Sequence, residues 1–224
     1  LFLEFTGMSS HEIQKRLEES ESRLNKAGIS HVVTQTAQSS AEVDELWKLP
    51  LQATSLLARV KGASQALPFV EDIAVPPTEI SRFLTLAQKT FQRYEVTATM
   101  SAHAASGQLH LRPLLPFPVP ETAPRFESLA RDLYHHVRSV GGTISGQNGD
   151  GLSRTAFIRS QYGGLYRVFQ QVKDIFDPQR LMNPDKIISD DGRLTVHHLR
   201  RTRVLTATND TNEEADLLPV LDLN

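Results

Sequence analysis

The chain has 224 residues, with 24 Lys plus Arg, 26 Asp plus Glu and no cysteine. A formal net charge of −2 leaves no basic footprint for a phosphate backbone, which excludes nucleic acid as a default partner. The missing thiols exclude disulfides, thiolate zinc sites and Cys-ligated iron–sulfur clusters within the chain, so a redox cofactor here is organic or sits on His and oxygen ligands. No apolar run reaches the roughly 20 residues that span a bilayer and no basic-then-apolar leader opens the sequence. A cytoplasmic location is expected, with peripheral association at a membrane left open. The first residue is Leu1, inside what reads as a strand, so a piece of a longer polypeptide is the expectation.

Leu1 to Phe5 reads as a strand, and Ser10 as the cap of a helix from His11 to Ala27, with Ile13, Leu17 and Leu24 on one face and Gly28 as its stop. His31 to Thr36 is β-rich. Ser40 caps a second helix carrying Val43, Leu46 and Trp47, which Pro50 is expected to interrupt. Leu67 to Val75 is an apolar run with Glu71 and Asp72 inside it; a buried carboxylate needs a partner, so it is expected to pair with a nearby Arg or Lys or to cap a neighbouring element. Pro76 and Pro77 lead into a helix with Ile80, Phe83, Leu84, Leu86 and Phe91. Strands follow at Val96 to Met100 and Gln108 to Leu115, then a helix from about Arg125 to Val140. A last helical stretch covers Tyr162 to Phe176, and the polar tail from Ser189 to Asn224 reads as a linker or extended arm.

Chemistry concentrates in two places. On the second strand Gln108, His110 and Arg112 share one face and Leu109 and Leu111 the other, because side chains alternate. His103 lies seven positions before His110, on the opposite face of a straight strand, but the turn Ala104 to Gly107 can cancel that parity and bring both imidazoles together as half of a divalent-metal site. Two hydrogen-bonded histidines at a sheet edge are the plainer alternative. The stretch Gly141 to Gly151 holds five glycines in eleven positions, allowing close approach to a ligand or a tight connection without function. It matches neither a phosphate-binding P-loop nor the dinucleotide fingerprint. His135-His136 and His197-His198 read as solvated.

Several phrases then stand in one order: Leu46-Trp47-Lys48-Leu49; Val70 to Pro76; His103 with Gly107-Gln108-Leu109-His110-Leu111-Arg112-Pro113; Gly142 to Gly146 with Gly149-Asp150-Gly151; and Phe176-Asp177-Pro178 with Asn183-Pro184 and Lys186-Ile187. Together, over about residues 1–188, they resemble the C-terminal cap domain of FAD-linked oxidases of the glycolate oxidase and D-lactate dehydrogenase type. His-Leu-Arg-Pro is most similar to long bacterial fusions with an iron–sulfur domain behind the flavin part. The resemblance implies an α+β domain, a ferredoxin-like antiparallel sheet with helices packed on it. It implies FAD held mainly by a separate N-terminal domain, and a small 2-hydroxy acid such as D-lactate, glycolate or D-2-hydroxyglutarate as substrate. A downstream iron–sulfur domain and a homodimer are further partners it leaves open.

In relatives of the D-2-hydroxyglutarate dehydrogenase type the two histidines bind a divalent metal, which maps to His103 and His110, with Gln147 at the place of a third ligand. Arg112 and Asn148 fall at the substrate, Asn148 at the usual base position, while Asn183, Gly146 and Gly149 fall beside the cofactor. Three departures stand out. The family's Ser-Gly-Glu-His-Gly becomes Gln147 and Asn148, removing a metal-binding carboxylate and a base, and its Leu-Trp-x-Leu-Arg becomes Pro50, removing a guanidinium for a substrate carboxylate. Zinc is the metal such a neutral set would favour, and weakly. Two readings follow: a substrate cap that is inactive in isolation, or a catalytically degenerate cap kept as a binding or scaffold domain.

Overall fold

The structure, a computed structural model, describes residues 2–28, 33–57, 64–68, 70–116, 123–192 and 194. By contact the chain divides into two units, Leu1–Thr54 and Ser55–Asn224.

The first unit holds α1 (Ser10–Lys26) and most of α2 (Ser40–Leu57). Both begin with a Ser-x-x-Glu capping box, one residue earlier than the sequence reading placed the caps. Ser9 Oγ accepts from the Glu12 N–H at 3.2 Å while Glu12 takes the Met8 N–H at 3.0 Å, and Ser39 and Glu42 repeat the exchange at 3.3 and 3.0 Å. These backbone donors hold the exposed Glu42 carboxyl below its ordinary pKa. Residues 2–6 are irregular, not the expected strand, since β pairing needs a partner strand and Phe2 instead stacks on Trp47 with ring centroids 6.2 Å apart. Residues 33–36 are also irregular, and the start of that β-rich stretch lies outside the described residues. Pro50 does not end α2: it removes one N–H from the ladder, a loss that an 18-residue helix survives.

The second unit is α+β. Its elements are β1 (Ser64–Ala66), β2 (Val70–Ala74), a 3₁₀ turn at Pro77–Glu79, α3 (Ile80–Arg93), β3 (Ala98–His103), β4 (Gln108–Pro116), α4 (Ala123–Ser139), α5 (Gly151–Tyr162) and α6 (Leu165–Phe176). The sheet is antiparallel and small. β4 is its central strand, pairing with β3 along one edge and with β1 and β2 in succession along the other. Alternation along β4 sends Leu109, Leu111 and Leu115 into the core, where they meet Val70 and Ile73 of β2, Phe83 and Ala87 of α3, and Leu129, Leu133, Tyr134 and Val137 of α4. Each such large side chain contributes about 1.5–3 kcal/mol by leaving water.

One helix escaped the sequence reading. In α5 the apolar residues Leu152, Ala156, Phe157 and Ile158 fall on no single stripe, so no helical period shows, yet Phe157 packs edge-on to Tyr134 with ring centroids 4.8 Å apart. Gly163, at φ +54°, separates α5 from α6, so the expected single helix from Tyr162 begins three residues later. His136 also departs from the solvated expectation: it is half-buried on α4, where its ring meets Thr90 Oγ1 at 3.0 Å, and burial lowers its pKa. His197 and His198, with most of the expected arm, lie outside the described residues. Packing continues past Ile188, since Leu194 is 3% exposed. No described helix is long and apolar enough to cross a membrane.

Candidate functional site

The face of the sheet opposite the core is polar. In the β3–β4 hairpin His103 pairs with Gln108 and Ser101 with His110, so the turn restores the parity and His103, Gln108, His110 and Arg112 share one face. The two imidazole centroids lie 6.2 Å apart, nearly perpendicular. Gly107 makes this possible. It sits at φ +75°, a Cβ there would come within 1.8 Å of the Val75 carbonyl, and its own carbonyl accepts the Val75 N–H at 2.9 Å. The hairpin tip is thereby fastened to the end of β2.

Beside this face runs the glycine-rich connection between α4 and α5. Thr143 and Ala74 exchange backbone hydrogen bonds at 2.8 and 3.0 Å, adding a short antiparallel bridge to β2. Gly142 is compelled by that approach, since a Cβ would meet the Ala74 carbonyl at 2.5 Å. Gly146 donates its N–H to the Asp72 carbonyl at 2.6 Å, and its neighbours are Asp72 and Ala74 of β2. Gly149 and Gly151, at φ +72° and +53°, face open space.

Asp72 joins sheet and connection. It occupies a bulge in β2 at φ +60°, a conformation uncommon outside glycine, and it is fully buried. Its carboxylate accepts from Gln108 Nε2 at 2.9 Å, from the Gln147 N–H at 2.9 Å and from the Asn148 N–H at 2.7 Å. Arg154, 6% exposed at the start of α5, lies 3.7 Å from it and donates to the Glu71 carbonyl at 2.7 Å and to the Gly149 carbonyl. Asp72 thus has the arginine partner that was one expectation, and beside it two backbone N–H donors from the connection before α5. Glu71 pairs with Arg112 Nε at 3.1 Å, both side chains about one-fifth exposed. Nearby, burial pushes the Asp150 carboxyl above its ordinary value, and holds the Tyr134 hydroxyl at a pKa of about 12.

The expected site residues divide accordingly. His103 and His110 lie side by side, Arg112 shares their face farther along β4, and Gln147 is tied to that face through its Oε1, which accepts from Gln108 Nε2 at 3.0 Å. Asn148 is fixed by its backbone to Asp72. Asn183 sits apart, at φ +45° in the loop after α6, accepting from Lys186 Nζ at 3.1 Å. That loop is organised by Asp177, whose carboxylate takes the N–H groups of Leu181 and Met182 at 2.9 Å each and pairs with Lys173 at 2.6 Å. It is tied to α5 where Thr155 Oγ1 accepts the Ile187 N–H at 2.9 Å. Pro50 belongs to the first unit. Gln108, Asp72 and Arg154, which hold the site together, were missed as functional residues. Asp72 in an apolar run was the available signal; nothing in the sequence names Gln108 and Arg154 as its partners.

The donor set does not fit a divalent metal. Among the described residues no group of three or more His, Cys, Asp or Glu side chains is placed to hold one. The Gln147 oxygen is a neutral amide acceptor, one of whose lone pairs Gln108 holds, and it brings no charge to a cation.

The domain is thus α+β, with one face of its sheet buried under helices and a histidine-bearing polar face on the other side. The model of the family described as FAD linked oxidases, C-terminal domain, matches residues 1–187, and the chain belongs to that family. It is similar to a D-2-hydroxyglutarate dehydrogenase of Pseudomonas putida, 27% identical over 196 residues, 85% of this chain and 19% of that protein. It is also similar to glycolate oxidase subunit GlcD of Bacillus subtilis, 27% identical over 167 residues, 74% of this chain and 34% of that protein. With a mitochondrial D-lactate dehydrogenase (cytochrome) of Arabidopsis thaliana it shares 24% identity over 145 residues, 64% of this chain and 25% of that protein. The chain spans 19 to 34% of the length of these relatives.

Proposed function

We propose that the chain is the substrate cap of a flavin-dependent oxidoreductase acting on a small 2-hydroxy acid. The observation that carries this is the placing of His103, His110 and Arg112 on one polar face of the sheet, with Gln147 bonded to Gln108 of that face, in a chain whose relatives bear the names of D-2-hydroxyglutarate, glycolate and D-lactate enzymes. Bound FAD would accept the hydride from the substrate's C2. The cap's own part is to orient the acid and to receive the hydroxyl proton. Arg112 keeps guanidinium N–H groups beyond the Nε that Glu71 holds, suited to a carboxylate. With Asn148 at the usual base position, an imidazole nitrogen of His103 or His110 is the side-chain base on that face. The FAD pyrophosphate is assigned to a separate domain of the same polypeptide, with Asn183 and the loop around it at the flavin edge.

A second surface supports a cap that docks. Leu165, Val168, Val172, Ile175 and Phe176 of α6, followed by Leu181 and Met182, are large apolar residues between 47 and 77% exposed. Spacing of three and four puts the first three on one stripe.

The test is oxidation of D-lactate, glycolate and D-2-hydroxyglutarate by the complete polypeptide with an artificial electron acceptor, beside flavin content of the 224-residue chain. Turnover of one acid, reduced at least about tenfold by His110→Ala, a loss typical of a proton-transfer group, together with a colourless isolated chain, is expected. Turnover of none by a polypeptide that carries its full flavin complement overturns the reading. It would favour the degenerate cap, to which Gln147, Asn148 and Pro50 already point.

A further inference from the structure

We propose that the place the family gives to a metal is, in this chain, a metal-free subsite in which the Gln147 side-chain amide donates directly to an anionic oxygen of the ligand. That the oxygen is a substrate carboxylate or hydroxyl rests on the cap reading above; the direction of the amide follows from the chain's own bonds.

Asp72 fixes the orientation of the groups around it. Two backbone N–H groups, at 2.9 and 2.7 Å, and the Arg154 guanidinium at 3.7 Å mark its fully buried side chain as a carboxylate, which only accepts. The Gln108 atom 2.9 Å away must therefore be its NH₂, because the opposite orientation would set an amide oxygen against a carboxylate oxygen with no water to separate them. Gln108 is 5% exposed, so no other placement satisfies it more cheaply. The same NH₂ lies 3.0 Å from Gln147, and with its second hydrogen it donates there, which makes the contacting Gln147 atom the oxygen. One acceptor on Asp72 thus dictates the orientation of two amides in series.

The consequence falls on Gln147 Nε2. Gln147 is exposed, its Nε2 makes no hydrogen bond to a described residue, and its oxygen is bonded to Gln108, which shares a face with His103 and His110. A glutamate at this position would have one oxygen for Gln108 and a second, charged one for a cation. Gln147 has no charge and a single oxygen, which already accepts from Gln108, so the group it has left wholly unengaged by described residues is its NH₂. Each imidazole adds at least one N–H in any neutral tautomer. With no carboxylate among them, these groups offer an anion N–H donors and offer a cation two imidazole nitrogens at most, which agrees with the absence, among the described residues, of a three-ligand metal group.

Two measurements on the full 224-residue chain test this. Zinc is titrated calorimetrically into the parent and into Gln147→Glu, which keeps the Gln108 bond through one oxygen. The side-chain amide signals of the parent are followed by ¹⁵N NMR as D-lactate is added in the presence of EDTA. Zinc binding in the parent no tighter than in His103→Ala is expected, with a gain of about tenfold or more, 1.4 kcal/mol, in Gln147→Glu. D-lactate at millimolar concentration is expected to shift the Gln147 NH₂ pair and leave the Gln108 pair in place.

Tight zinc binding in the parent that is lost in His103→Ala, or a Gln147 amide that D-lactate does not move, overturns the proposal. The NMR arm uses the unaltered chain, so it decides even where Gln147→Glu fails to fold. Expected shifts in a polypeptide that oxidises none of the three acids would sink the flavin reading and leave the subsite standing; turnover with an unmoved Gln147 amide would do the reverse.

Discussion

Leu109 and Leu111 on one side of β4, and Gln108 and His110 on the other, are separated by a single residue each, yet they are held by different physics. The leucines are 0 and 2% exposed in a layer of α3 and α4 side chains, and any apolar group of the right size would serve there. The opposite face depends on atoms, not volumes: Asp72 accepts, Gln108 donates, Gln147 accepts, and an exchange of O for N anywhere in that series leaves a buried polar group unsatisfied. The comparison teaches that the core tolerates substitution by degrees while the site fails in steps.

Asp72→Ala should separate the two most sharply. It leaves Arg154 buried without its anion and strands the Gln147 and Asn148 N–H groups, and a loss of about 3–5 kcal/mol is expected in denaturant unfolding. A loss under about 1 kcal/mol, within the range of an exposed pair, would show that the network does not secure the connection. Gly107→Ala comes next, at about 1–3 kcal/mol for the φ alone, with further strain from the Val75 carbonyl. It is expected to displace the turn and part His103 from His110, visible as changed His103 and His110 ring signals while core methyl signals stay in place. Retention of those ring signals would mean that the hairpin tip is not what aligns the histidines.

The smallest effect is a pH dependence. Burial, opposed by Arg154 and reinforced by Asp72, raises the Asp150 pKa above 3.8, so the folded state holds this proton more tightly than the unfolded chain. The stability it contributes is present below 3.8 and is lost as pH rises through the raised folded value. Thermal midpoints of the parent and of Asp150→Asn, measured across that window, should converge in acid and diverge above it, with the parent falling behind. Parallel profiles would refute it.

How much of this was readable follows the same division. The two faces of β4 came from alternation alone, and the parity-cancelling turn before them from Gly107. The helix caps are the first serine of each pair, Ser9 and Ser39, one residue before the expected Ser10 and Ser40, although Glu12 and Glu42 three residues on marked the capping boxes. Strand propensity misled at Leu1 to Phe5, because a local preference cannot report that no partner strand stands beside it. The helix α5 carried no stripe to read, since its buried residues include Arg154, which faces the polar network, and Thr155, which holds the loop after α6. A single carboxylate in an apolar run announced that a partner existed. Its identity depends on which distant segment arrives there, and only the fold supplies that.

The bonds that set the site also set when it can form. Pairs in the β3–β4 hairpin join residues that are close in the chain, but the contacts from Glu71 and Asp72 to Arg154, Gln147 and Asn148 span 83, 75 and 76 positions. Closing such long loops carries an entropic cost that local pairing does not, so these bonds are made after the hairpin and the α3–α4 layer are in place. By the same account they open before the sheet does. The amide protons of Gln147 and Asn148 therefore report an early, local melting, and a destabilising change anywhere in the core would silence the site well before it unfolds the domain.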